Sequence, residues 1–168
     1  FLTTAIVSCV EDMTAALLQK AHKHKLDTVC LVGNPAMQQL FLGLPPDNLA
    51  KPPFTPTLTK AVTEDAGKYM RLWEGARLFT VPNISGYIGA DTVACILATG
   101  MDQDQALTLL VDIGTNGEMV LGNKERRIAC STAAGPAFEG AKISCGMRGA
   151  EGAVDHVRME NGEIKYHV

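Results

Sequence analysis

The chain has 168 residues, of which 46% are hydrophobic and 20% charged, which is enough apolar content for about one folded domain or a little more. A net charge of −3 without an extended basic run argues against a nucleic-acid partner, and an aromatic content of 5% leaves little for base stacking. No apolar run approaches the ~18 residues of a membrane span, and the opening FLTTAIVSC lacks a charged signal-peptide region. The opening also lacks Met and reads as mid-protein sequence, as expected of a piece of something longer.

From the amino end, Ile6 to Lys25 is predicted as an amphipathic helix, because Val10, Met13, Leu17, Leu18 and Ala21 recur at helical spacing. Lys20, Lys23 and Lys25 lie where a helix C-terminus prefers cations, and His22 and His24 read as part of that solvated end rather than as a metal pair. Thr28 to Val32 (TVCLV) is a short apolar, β-branched run, predicted as a strand buried on both faces. Gly33 and Asn34 end it, and Pro35 opens a helix over Ala36 to Leu42. Helix, strand, helix is the grammar of an α/β fold. The Gly33-Asn34 step is read first as a tight turn. The alternative is a ligand-facing loop, since open α/β sheets bind ligands beyond strand carboxyl ends.

Pro45 to Pro56 holds five of the eight prolines and predicts an extended surface connection. Lys60 to Gly75 is polar and weakly patterned, read as a loop with one helical turn. Ala76 to Val81 is a strand closed by Pro82. Asp91 to Gly100 is a helix, capped by Asp91 or an earlier residue and ended by Gly100, with small residues Ala90, Ala94 and Ala98 four apart. Asp91 is therefore as readily a helix cap as a catalytic group. Met101 to Ala106 is a short acidic linker.

Leu107 to Glu118 (LTLLVDIGTNGE) is the stretch on which the chain turns. An apolar run ends in Asp112, then Gly114, Thr115, Asn116, Gly117 and Glu118 precede the apolar Met119 to Leu121. Asn-Gly predicts a two-residue hairpin turn at 116 and 117. A plain hairpin would need no more than that. Here an acid, two glycines and a hydroxyl accompany the turn, a combination that can cradle phosphate oxygens and, through Asp112, a hydrated magnesium ion. Ile128 to Ser131 is predicted as a third strand. Ser131 to Gly152 is rich in Gly and Ala, with Ala141 to Cys145 read as strand or helix. Val154 to Met159 and Glu163 to Val168 form a second hairpin around Asn161-Gly162. Cys9, Cys30, Cys95, Cys130 and Cys145 are scattered without a C-x-x-C pair, so they read as free, buried thiols in a reducing, cytoplasmic compartment rather than as zinc or cluster ligands.

Four segments, VGNPAMQQLFLGL, VPNISGYIGADTVACILATG, LLVDIGTNGEMVLGN and STAAGPAFEGAKISCGMRGAEGAV, together resemble the nucleotide-binding domain of the reductive activators of corrinoid proteins. That domain is similar to acetate and sugar kinases, heat-shock ATPases and actin. The resemblance implies an α/β, actin-like (ribonuclease H-like) fold in part: the remainder of a first lobe and the interlobe connection over residues 1–100, and the start of a second lobe over 101–168. It implies ATP and Mg²⁺ as cofactors, with Asp112 orienting the metal or water and Gly114, Thr115, Asn116, Gly117 and Glu118 at the phosphates. Gly33, Asn34, Asp91, Ser131, Thr132, Gly135 and Glu139 are the further cleft candidates. An iron–sulfur cluster would belong to a part of the protein outside this sequence. The partner implied is the corrinoid protein of a methyltransferase system, whose cobalt(II) state is returned to cobalt(I). The full-length protein is expected to be an ATPase coupled to electron transfer and this piece to be inactive alone. Oligomeric state stays open, a homodimer among the options. The competing readings are a non-catalytic docking module, with Ala133 to Gly152 as contact surface, and a small-molecule kinase. Gln38-Gln39 departs from the family, which often has Thr and His there.

Overall fold

The computed structural model describes residues 1–114, 116–134, 147 and 150–168, and divides into two compact units. The first comprises Phe1–Thr108 with Gly122–Arg127, and the second Leu109–Leu121 with Ile128–Val168. The expected α/β class is found.

In the first unit, helix α1 runs Leu2–Lys20, starting and stopping earlier than its apolar periodicity predicts. Its end is fixed by backbone geometry. His22 takes φ 53°, its N–H bonds Gln19 O at 3.1 Å, and Lys23 N–H bonds Leu18 O at 2.9 Å. This is a Schellman motif, with histidine in the left-handed position that glycine usually fills. Lys23 and Lys25 therefore lie beyond the helix. Strand β1 (Thr28–Leu31) follows, then α2 (Pro35–Phe41), with Pro35 in the first turn.

Strand β2 (Val62–Asp65) and two 3₁₀ turns, Ala66–Lys68 and Arg71–Trp73, occupy the segment predicted as loop. With one apolar residue in VTED, the strand has no signal of its own. Its conformation comes from pairing antiparallel with β3 (Arg77–Thr80), Val62 opposite Thr80 and Glu64 opposite Leu78. β3 also pairs in parallel with β1, giving the order β1-β3-β2. β1 is not buried on both faces as expected. Val29 and Leu31 are half-buried against the core, while Thr28 and Cys30 are exposed, because only one face of the strand packs on it, as in β3.

The core beneath this sheet is built from buried Phe41, Leu42, Ala66, Met70, Ala76 and Leu78, with Ile6, Val7 and Val10 of α1 packed on it. Burying a side chain such as Phe41 or Leu78 contributes about 1.5–3 kcal/mol. The proline-rich connection is less extended than predicted. It contains a 3₁₀ turn at Asp47–Leu49 and a cis Pro52-Pro53 bond. It is held by a close approach: a Cβ on Gly86 would collide with the carbonyl oxygen of Phe54. Helix α3 (Ala90–Thr99) is capped by Gly89 rather than Asp91, and ends at Gly100 with φ 71°.

The second unit carries most of β4 (Thr108–Ile113), β5 (Asn116–Gly122) and β6 (Arg127–Ala133), in the order β4-β5-β6. Asn116 and Gly117 stand inside β5 rather than between the strands. Gly117 is buried beside Thr132 and Ala134, and a Cβ there would make ordinary contact with both at 3.4 Å. Strands β7 (His156–Glu160) and β8 (Glu163–His167) pair antiparallel as a separate ribbon. Asn161 (φ 52°) and Gly162 (φ 81°) supply the two left-handed residues that a type I′ turn needs, as expected. Ala141 to Cys145 lies outside the described residues. Cys9, Cys30 and Cys130 are exposed, not buried, because the strands and helix face that carry them are open to solvent.

Candidate functional site

The β4–β5 connection is an exposed tip. Asp112 is half-buried at the end of β4, Ile113 is 82% exposed, and Gly114 and Asn116 are both exposed. Alternation along β4 explains this arrangement: Leu109, Val111 and Ile113 face one way, and Leu110 and Asp112 the other. The Gly114 N–H donates to Asn116 O at 2.9 Å, so that amide is committed to the hairpin itself. On the neighbouring strand, the Ser131 hydroxyl donates to Glu118 Oε1 at 2.8 Å, and Thr132 lies against Gly117. The fold thus gathers Asp112, Gly114, Asn116, Gly117, Glu118, Ser131 and Thr132 around one hairpin. Thr115, Gly135 and Glu139 lie outside the described residues.

The donor set suits a hydrated magnesium ion and a phosphate chain. Asp112 offers a hard carboxylate oxygen at a solvent-reached strand end. A Cβ on Gly114 would meet Asn116 O in ordinary contact at 3.6 Å, so glycine is not required there by close packing. Among the described residues, no group of three or more His, Cys, Asp or Glu side chains is arranged to hold a metal by itself.

The remaining cleft candidates sit in the first unit. Asn34 is the N-cap of α2, its Oδ1 accepting from Met37 N–H at 2.9 Å, which is the tight-turn reading of Gly33-Asn34. Asp91 accepts from Thr92 N–H at 2.8 Å. The two residues meet around Gly89, where a Cβ would stand 2.7 Å from Asp91 Oδ1 and 2.9 Å from Asn34 Cα. The amino ends of α2 and α3 are therefore pressed together beyond the carboxyl ends of parallel β1 and β3.

What holds them is a buried amide network that periodicity cannot reveal. Gln38 Nε2 donates to Val81 O at 2.7 Å, and the Asn83 side-chain amide donates to Gln38 Oε1 and to Leu58 O. Asn83 Oδ1 accepts from Ala90 N–H at 3.0 Å. Gln39 bonds Pro45 O at 3.0 Å and Thr57 N–H at 2.7 Å. Gln38, Gln39 and Asn83 are all buried. The one available signal was an Asn directly after the strand-closing Pro82.

An α/β chain with an acid-and-glycine hairpin leading a second sheet has the marks of the ASKHA class. Residues 106–168 match the C-terminal domain of RACo, the ASKHA domain, and residues 1–104 match the RACo middle region. The chain belongs to this family, the reductive activators of corrinoid proteins. It is 35% identical over 165 residues to the corrinoid activation enzyme RamQ of Eubacterium limosum, covering 95% of this chain and 28% of that protein. It is 44% identical over 79 residues to a [Co(II) methylated amine-specific corrinoid protein] reductase of Methanosarcina barkeri, covering 47% of this chain and 15% of that one. A solved structure titled reductive activator for corrinoid, iron-sulfur protein superposes with a TM-score of 0.76 at 34% identity, covering 98% of this chain and 27% of that one. The chain thus spans between about a seventh and somewhat over a quarter of these proteins. No helix among the described residues is long and apolar enough to cross a membrane.

Proposed function

We propose that this chain supplies part of the nucleotide site of an ATP-dependent activator that returns a cobalt(II) corrinoid protein to cobalt(I). The division near residue 100, with the end of one lobe before it and the start of another after it, belongs to the same reading. So do a cytoplasmic location and an iron–sulfur cluster carried elsewhere in the protein. The observation that carries the reading is the exposed β4–β5 tip, with Asp112 at its base.

At that tip, Asp112 would hold Mg²⁺ through its water shell. Thr115, Asn116 and Gly117 would offer hydrogen bonds to phosphate oxygens, the Gly114 amide being already engaged. Glu118, fixed by Ser131, would orient water near the metal rather than touch phosphate, since two anions repel. Bound MgATP supplies phosphoryl chemistry that depends on positioning rather than on a covalent enzyme intermediate. Coupling to the corrinoid partner requires that nucleotide bind two conformations of the protein unequally.

The test is MgATP binding and turnover by the full-length protein and its Asp112→Asn variant. Loss of about a hundredfold or more in turnover, with an unchanged thermal melt, is expected. Turnover equal to wild type would remove Asp112 from the site.

A further inference from the structure

The carboxyl end of α1 is a cationic corner on an otherwise acidic chain. Between positions 20 and 25, Lys20, His22, Lys23, His24 and Lys25 are all exposed, while the whole chain carries −3. They are more than a frayed end. The Schellman turn places His22 at φ 53°, a left-handed conformation that a bulky side chain adopts only at a cost. The turn folds Lys23 back over Leu18, and Leu18, His22, Lys23 and His24 line a groove whose far wall is Trp73. Trp73 Nε1 is buried without a hydrogen-bond partner among the described residues. The Trp73 segment is tied to α1 by the Leu72 N–H bond to Glu11 Oε1 at 2.9 Å. The opposing charge is spread out: Asp27 lies 3.7 Å from Lys25, with both side chains more than three-quarters exposed, the Glu11 carboxylate is engaged with Leu72 N–H, and Glu74 follows Trp73 in the chain.

A tryptophan-walled groove with a cationic rim, and backbone strain at its lip, has the anatomy of a protein interface. Its charge selects an acidic face, and an acidic protein surface reaches both the groove and its rim. We propose that this corner is where an acidic face of the corrinoid protein docks. The proposal rests on the function proposed above and assigns its partner contact to a surface distinct from the β4–β5 tip.

The test uses the full-length protein and the corrinoid protein purified from the same cells. Affinity is measured at low and high salt for wild type, for Lys20→Glu/Lys23→Glu/Lys25→Glu, and for Trp73→Phe, which keeps an aromatic ring but removes the indole N–H. MgATP affinity is measured in parallel. Wild-type binding is expected to weaken with salt, because the attraction between exposed charges is screened. The triple variant is expected to lose about tenfold or more, with MgATP affinity unchanged. Wild-type affinity in the triple variant would overturn this docking surface and leave the nucleotide reading intact. Absence of any binding by wild type would overturn both the partner and the surface. Binding to phosphatidylserine vesicles that the triple variant loses, with corrinoid-protein affinity unaffected, would assign the corner to a lipid surface and overturn the proposal.

Discussion

At the scale of single residues, Asn83 connects more of the first unit than any other side chain described above. Its amide joins Gln38, Leu58 and Ala90, and so binds α2, the proline-rich connection and α3 to the end of β3. Asn83→Ala leaves the buried Ala90 N–H and one Gln38 oxygen without their partner. A loss of about 2–3 kcal/mol is expected, read as a lower urea midpoint at unchanged slope. Glu64 is a milder case. Its carboxylate accepts from Lys68 at 2.7 Å and Tyr69 at 2.6 Å, and these bonds hold its pKa below the usual carboxylate value. A lowered folded-state pKa gives stability above the unfolded value, and that stability is lost as pH falls through the lowered one. Glu64→Gln should therefore flatten the acid limb of the stability–pH curve slightly, the effect being small because solvent screens the pair. A steeper acid limb in the variant would contradict the pairing.

Single elements differ in how much of them could be read from sequence. α2 was legible because Asn34, Pro35 and Gly43 mark its ends chemically, and the β7–β8 turn because Asn161-Gly162 supplies two left-handed residues. β2 was not, because VTED becomes a strand only by pairing with β3. Asn116-Gly117 misled for a related reason. The pair satisfies a turn, but it is taken up by β5, where it pairs in the sheet β4-β5-β6. In the candidate site, Asp112 and the glycines stand out in the sequence as candidates because acid and backbone chemistry is written in residue type. The Gln38, Gln39 and Asn83 network could not, because an amide looks the same in a sequence whether it is exposed or buried. The end of α1 offers a test at this scale. His22→Gly should stabilise the chain by about 1 kcal/mol, because glycine adopts the left-handed position without steric cost. A lower melting temperature would mean that the imidazole itself holds the turn.

Across the whole molecule, burial is uneven. The first unit has a closed apolar cluster around Phe41, Met70 and Leu78, whereas every residue of β7 and β8 is exposed. On one face of that ribbon, Val157, Met159, Ile164 and Tyr166 are 65–68% exposed, and a two-stranded ribbon alone is marginal in water. Amide hydrogen exchange should follow this division. Leu78 and Thr80 in β3 should exchange last, through global opening, and β7 and β8 first, through local fraying. Equal protection across the two would contradict it. Within the first unit, the contact between Gly86 and the Phe54 carbonyl leaves no room for a single added carbon. Two loops far apart in the chain are keyed together there like a tongue in its slot. Neither can slide without carrying the other, so an insertion in one loop is tolerated only where it spares that joint.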